Sequence, residues 1–183
     1  IMIEVMLVDD ETYVVDSLKE TIPWKEIGVT YIYTASSAHE AIQLLEQHTI
    51  DIVVTDIRMP EVSGLQLIEM IKQRWEHVKC LLLTGYADFE YAKRAVQLHA
   101  YDYLLKPVID EEFVDALSNA VETLKDEWDQ TGKYMLTTNK MDLSVLRTNL
   151  LHDLLLGRRL SKNNLLEKLS SYEIPIYMED SSV

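Results

Sequence analysis

The sequence predicts an α/β protein: a doubly wound five-stranded parallel sheet of order 2-1-3-4-5, followed by a helical C-terminal extension. Five short apolar segments alternate with five segments of helical period. The short segments are almost continuously apolar, which is typical of strands buried on both faces of a parallel sheet. Crossovers between such strands are right-handed, and the doubly wound order accommodates five of them.

Strands are predicted where an apolar run ends at polar or turn residues. The first run, for example, stops at the pair Asp9 and Asp10. The predicted strands span residues 3–8, 29–35, 52–55, 79–83 and 101–104. In the predicted order the carboxyl ends of strands 1 and 3 flank the switch point, where open α/β sheets bind their ligands.

Helices are predicted where apolar side chains recur every three or four residues, as Ala41, Leu44 and Leu45 do. Ser63 offers an N-terminal hydrogen-bond acceptor to one of them, and acidic residues from Asp110 onward supply negative charge to another. The predicted helices span residues 13–22, 38–46, 65–74, 89–98 and 111–128.

Charge divides the chain into two parts. Residues 1–128 hold 24 acidic and 10 basic residues, whereas residues 129–183 hold 7 of each. The boundary falls beside a polar stretch that begins at Asp129. We therefore predict a first domain over 2–128, a linker over 129–141, through which a helix could also run, and a helical extension over 142–183.

Composition excludes several classes of protein. The net charge of −14 disfavours binding of nucleic acid by these residues as a whole. The only cysteine, Cys80, excludes an intramolecular disulfide framework and a multi-cysteine zinc site, and suits a reducing cytoplasm. No apolar stretch approaches the ~20 residues that span a bilayer. These features predict a cytoplasmic protein without a membrane role.

Polar residues follow four of the predicted strands at their carboxyl ends. In strand order they are Asp9 and Asp10, Asp56, Thr84, and Lys106. Clustered carboxylates repel one another and persist only where positive charge compensates them. Mg²⁺, a hard cation that prefers oxygen ligands, is the simplest compensation. The predicted ligands are Asp10 and Asp56 directly, Asp9 through a bound water, and the backbone carbonyl of Arg58.

The same cluster can receive a phosphoryl group. Asp56, at the end of a central strand, is the predicted nucleophile toward phosphorus. Thr84 would donate its hydroxyl to one phosphoryl oxygen, and Lys106 would neutralise another. Phosphoryl transfer needs this positioning and charge neutralisation more than protein acid–base chemistry.

These motifs closely resemble the receiver domains of two-component response regulators, which have a flavodoxin-like fold. The resemblance covers about residues 3–125. The motifs occur in order: Asp9-Asp10-Glu11, the run Asp-Ile-Arg-Met-Pro-Glu-Val-Ser-Gly from Asp56, Leu-Thr-Gly at 83–85, Tyr103, and Lys106-Pro107.

The resemblance implies that a sensor histidine kinase phosphorylates Asp56, with Mg²⁺ held by Asp9, Asp10 and Asp56. It implies a signalling domain that catalyses only its own phosphorylation and dephosphorylation. Thr84 and Tyr103 fall on the family's switch positions, and Pro107 on a position where the family has a cis peptide bond. Self-association as a homodimer is expected to respond to phosphorylation.

The C-terminal part places leucines on one broad face over 143–156, and Gly157 ends that helix. A second predicted helix, over 161–171, follows. The pattern resembles the start of the middle region in long response regulators with an AraC-type DNA-binding domain, the YesN-like group. No helix-turn-helix with a basic helix occurs in 129–183. We therefore expect a transcription regulator whose DNA-binding domain is absent from this chain.

Three other functions compete with this interpretation. A haloacid-dehalogenase-type phosphatase would need an aspartate two residues after the nucleophile, where this chain has Arg58. A flavodoxin-like redox protein would need a phosphate-binding loop after strand 1, where the acidic run from Asp9 would repel FMN. A stand-alone receiver that acts through protein contacts alone stays open.

Overall fold

A computed structural model describes residues 2–85 and 89–137, with side chains described up to residue 130. The predicted extension over 142–183 lies outside the described residues, as does Tyr86. The chain divides into two compact units, Ile1–Asp129 and Gln130–Val183. Among the described residues, no helix is long and apolar enough to cross a bilayer.

Five strands and six helices alternate along the described chain. The strands are β1 (Ile3–Val8), β2 (Val29–Ala35), β3 (Ile52–Thr55), β4 (Lys79–Thr84) and β5 (Asp102–Leu105). The helices are α1 (Thr12–Thr21), α2 (Trp24–Ile27), α3 (Ala38–Gln47), α4 (Gly64–Arg74), α5 (Phe89–Gln97) and α6 (Asp110–Thr137).

All strand pairs are parallel, and the sheet order is β2-β1-β3-β4-β5. The predicted fold class and strand order are confirmed. Because side chains alternate between the two faces of a strand, β1 contributes to two cores. Ile3, Val5 and Leu7 pack with α1 and α6, whereas Met6 and Val8 pack with α3, α4 and α5.

Serine caps fix the start of two helices, and the sequence analysis predicts the one at Ser63. Ser37 Oγ accepts the backbone N–H of Glu40 at 3.1 Å at the start of α3. At the start of α4, Ser63 forms a reciprocal capping box with Gln66, with bonds of 2.9 and 3.2 Å. These side chains satisfy N–H groups that lack an intrahelical partner.

The structure differs from the sequence-based expectation around Trp24 and at the end of the last helix. The short helix α2 was not predicted; it ends at Gly28, whose φ of 98° suits glycine. Trp24 is buried, and its indole N–H donates to the Leu18 carbonyl at 3.1 Å. Helix α6 runs to Thr137, across much of the segment predicted as a linker, so the limits of the domains stay a prediction.

Candidate functional site

Asp9 and Asp56 lie side by side at the carboxyl ends of β1 and β3. The backbone holds both in place, because the N–H of Asp56 donates to Val8 O at 2.9 Å and that of Asp9 donates to Ala35 O at 3.1 Å. Both side chains are buried, at 4% and 6% exposure. Apolar side chains line the space beneath them: Leu7, Val15, Leu18, Val54 and Leu83.

Lys106 brings its ammonium group to this pair. The residue follows β5, and its backbone N–H donates to Thr84 O at 2.7 Å. Its Nζ lies 2.7 Å from Asp9 Oδ2 and 3.7 Å from Asp56 Oδ1. The Lys106–Pro107 peptide bond is cis. Residues 9, 56 and 106, distant in sequence, therefore form one compact charged group.

Burial and neighbouring charges perturb the titration of this group. Burial raises the pKa of Asp56 to about 6; the Lys106 charge opposes that rise, and the Asp9 and Asp10 charges add to it. Burial lowers the pKa of Lys106, but the hydrogen bond to Asp9 and the surrounding carboxylates outweigh it, so the net shift is upward. Burial thus disfavours the charged form of Asp56, and a further positive partner would stabilise it.

Glu11 belongs to the cluster, although sequence reasoning did not select it. One carboxylate oxygen lies 3.7 Å from Lys106 Nζ, and the other accepts the Tyr13 hydroxyl at 2.6 Å. The Tyr13 hydrogen bond, followed by the Lys106 charge, lowers the pKa of Glu11. The available signal was the third acidic residue of the run, but sequence alone does not show which way its side chain turns.

The oxygen atoms fit a divalent cation. One ligand atom each from Asp9, Glu11 and Asp56 lies within 4.8 Å of the others. Carboxylate oxygens in this number suit Mg²⁺, and binding would relieve the repulsion that burial imposes on Asp56. Asp10 is exposed, yet its charge acts on Asp56. The roles of Asp10 and of the Arg58 carbonyl as ligands stay predictions.

The Arg58 side chain contacts helix α5. Its Nε donates to the Tyr91 hydroxyl at 3.1 Å, and its guanidinium carbon lies 5.7 Å from the Tyr91 ring centroid. Sequence reasoning missed Tyr91, because no pattern in the helix 89–98 marks that residue as a partner of Arg58.

The two predicted switch residues lie on neighbouring strands. Thr84 is fully buried at the end of β4, opposite Leu105 of β5. Tyr103 lies within β5, half-buried, and packs against the apolar core on the α3–α5 side. Their predicted roles in phosphoryl contact and switching stay predictions.

Gly64 allows α4 to begin directly against the Asp56 backbone. A side-chain carbon on Gly64 would overlap the Asp56 carbonyl oxygen. The Gly64 N–H donates to Ile57 O at 2.8 Å, which fixes the loop after Asp56. This close approach explains the glycine that the sequence places eight residues after Asp56.

The sequence and the fold of this chain are similar to those of known proteins. The protein-family model "Response regulator receiver domain" matches residues 5–118. The transcriptional regulatory protein HptR of Staphylococcus aureus (strain NCTC 8325 / PS 47) is 40% identical over 134 residues, which are 72% of this chain and 52% of HptR. A Staphylococcus epidermidis protein described as an uncharacterized response regulatory protein is 42% identical over 123 residues, 67% of this chain and 48% of that protein.

Solved structures agree with these matches. The REC domain of AraT, a response regulator from Geobacillus stearothermophilus, superposes with a TM-score of 0.66 at 29% identity, covering 70% of this chain and 99% of that one. A two component transcriptional regulator AraC from Clostridium phytofermentans superposes with a TM-score of 0.64 at 31% identity, covering 68% of this chain and 96% of that one. This chain spans about half the length of the curated relatives it matches. The chain belongs to the response regulator receiver domain family.

Proposed function

We propose that this chain accepts a phosphoryl group on Asp56 from a sensor histidine kinase, with Mg²⁺ bound by Asp9, Asp10, Asp56 and the carbonyl of Arg58. The observation that carries the proposal is the position of Lys106 Nζ between Asp9 and Asp56, at 2.7 and 3.7 Å. An ion pair this buried is costly to maintain. The Lys106–Asp9 pair lies beside the Asp56 carboxylate, whose charge is only partly compensated. This combination is typical of a site for oxyanion chemistry.

The transfer step needs little from the protein beyond geometry and charge. A carboxylate oxygen of Asp56 forms a bond to phosphorus while the phosphorus–nitrogen bond of the phosphohistidine breaks, and its electron pair returns to the imidazole. When bound, Mg²⁺ neutralises charge on the phosphoryl oxygens. Lys106 neutralises a second oxygen, and the Thr84 hydroxyl donates to a third. The domain catalyses only this step and the later hydrolysis.

The output we propose is transcriptional. The relative HptR is described as a transcriptional regulatory protein, and this chain spans 52% of its length. We propose a DNA-binding domain of AraC type beyond these residues, a middle region beginning in 142–183, and a cytoplasmic homodimer. Exposed apolar side chains on α5 and β5 support a protein contact there, namely Phe89, Val96 and Leu105. Those side chains equally suit a stand-alone receiver acting through protein contacts.

Phosphorylation can be tested with a small phosphodonor. We expect acetyl phosphate with Mg²⁺ to add one phosphoryl group to the wild-type chain, seen by intact mass, and none to Asp56→Ala. Asp16→Asn, a change at an exposed aspartate on α1, serves as the matched control and should be labelled like wild type. Equal labelling of Asp56→Ala and wild type would show that Asp56 is not the acceptor.

A further inference from the structure

The direction of the Arg58 side chain is unexpected on electrostatic grounds. Arg58 lies two residues after Asp56, which belongs to a cluster of three acids and one lysine, namely Asp9, Glu11, Asp56 and Lys106. Coulomb attraction favours a guanidinium group close to these carboxylates. The guanidinium group instead contacts Tyr91 on α5.

Tyr91 makes two kinds of contact with Arg58. The hydroxyl accepts a charge-assisted hydrogen bond from Nε at 3.1 Å, and the ring lies within cation–π range at 5.7 Å. The ring itself is half-buried and packs against the core on the α3–α5 side. The charged side chains that shift the Asp56 pKa are those of Lys106, Asp9 and Asp10.

We propose that Tyr91 is a positioning residue that holds the Arg58 guanidinium group away from the cation and phosphoryl site. A guanidinium group beside Asp56 would pair with both carboxylate oxygens, which would mask the nucleophile and repel Mg²⁺. With Arg58 held on α5, Lys106, a point charge on a flexible stem, serves as the cation beside Asp56. This inference rests on the proposed function, because it concerns the same site.

Mg²⁺ binding to the full chain tests the inference without any measurement of activity. Isothermal titration calorimetry would compare wild type with Tyr91→Phe, Tyr91→Ala, Arg58→Ala and the double variant Tyr91→Ala/Arg58→Ala. We expect Tyr91→Ala to raise the Mg²⁺ dissociation constant about three- to tenfold, the effect of one positive charge moved to within about 8 Å of the ion. Tyr91→Phe should give a smaller rise, because the ring contact remains.

The double variant separates positioning from structural damage. In the Arg58→Ala background, Tyr91→Ala should leave the dissociation constant unchanged, because the group that Tyr91 holds is gone. Two matched controls should also leave it unchanged: Tyr101→Phe, which loses a phenol hydrogen bond to Thr123, and Arg94→Ala, which loses an arginine of α5. At saturating Mg²⁺, Tyr91→Ala should slow phosphorylation by acetyl phosphate several-fold relative to wild type, and it should cause no further slowing when added to Arg58→Ala.

Two results would overturn this inference and leave the proposed function standing. The first is a wild-type chain that binds Mg²⁺ no better than Tyr91→Ala, and the second is a Tyr91→Ala substitution that changes the Mg²⁺ dissociation constant equally with and without Arg58. The second result would assign Tyr91 a structural role only. Tyr91→Phe keeps the ring and its packing, so the inference stays open to refutation even if Tyr91→Ala does not fold. Wild type that binds no Mg²⁺ would overturn the proposed function, and this inference with it.

Discussion

Replacing Asp56 by asparagine should stabilise the fold when divalent cations are absent. Burial and the neighbouring acids raise the pKa of Asp56 from 3.8 to about 6, so the folded state disfavours the charged carboxylate. Each unit of pKa shift corresponds to about 1.4 kcal/mol, which sets an upper bound of about 3 kcal/mol. Because solvent reaches the mouth of the site and screens it, we expect a gain of about 1–2 kcal/mol.

The pH dependence of this gain has a definite sign. Below about pH 3.8 the carboxyl group is protonated in both the folded and unfolded states, so Asp56→Asn should have no stabilising effect. As the pH rises from about 4 to 6, the unfolded state ionises first and wild type loses stability relative to the variant. The full difference is expected above about pH 6. Mg²⁺ should reduce or reverse it, because ion binding stabilises only wild type.

Urea unfolding followed by tryptophan fluorescence measures the difference, since Trp24 and Trp75 are both buried. The measurement is made in EDTA at pH 7.5 and pH 4, and again at pH 7.5 with Mg²⁺. Asp16→Asn on the exposed face of α1 is the matched control and should change stability by less than about 0.5 kcal/mol. A variant no more stable than wild type in EDTA, or a gain unchanged at pH 4, would refute the reasoning.

Two further outcomes are expected. Gly64→Ala should destabilise the fold by more than about 2 kcal/mol in urea unfolding and weaken Mg²⁺ binding, because the alanine side chain would push the Asp56 backbone. Unchanged Mg²⁺ binding would contradict this prediction. Beryllium fluoride with Mg²⁺ should promote self-association in sedimentation experiments, and Val96→Glu on α5 should reduce it; monomers in every sample would argue against dimerisation.

The fold was predictable because local patterns and topology agree. The strand limits match within a residue, since continuous apolar runs and turn residues mark them directly. Helix α2 was missed because four residues give no helical period, and its stability comes from Trp24 packing edge-on against Phe113 of α6, 5.9 Å between ring centroids. Such a contact joins residues far apart in sequence, which no local pattern contains.

In the site, as in the fold, topology predicts some features and leaves others unpredicted. Strand ends in a parallel sheet converge, so the proximity of Asp9, Asp56 and Lys106 follows from topology alone. The direction of a side chain in a loop does not, because neighbouring φ and ψ angles decide it. Glu11 therefore joins the cluster while Arg58 contacts Tyr91 on α5, although each lies two residues after a buried aspartate of the site. Charge would draw that arginine inward, and its contact with an aromatic partner on α5, 33 residues further along the chain, is one that no local sequence pattern contains.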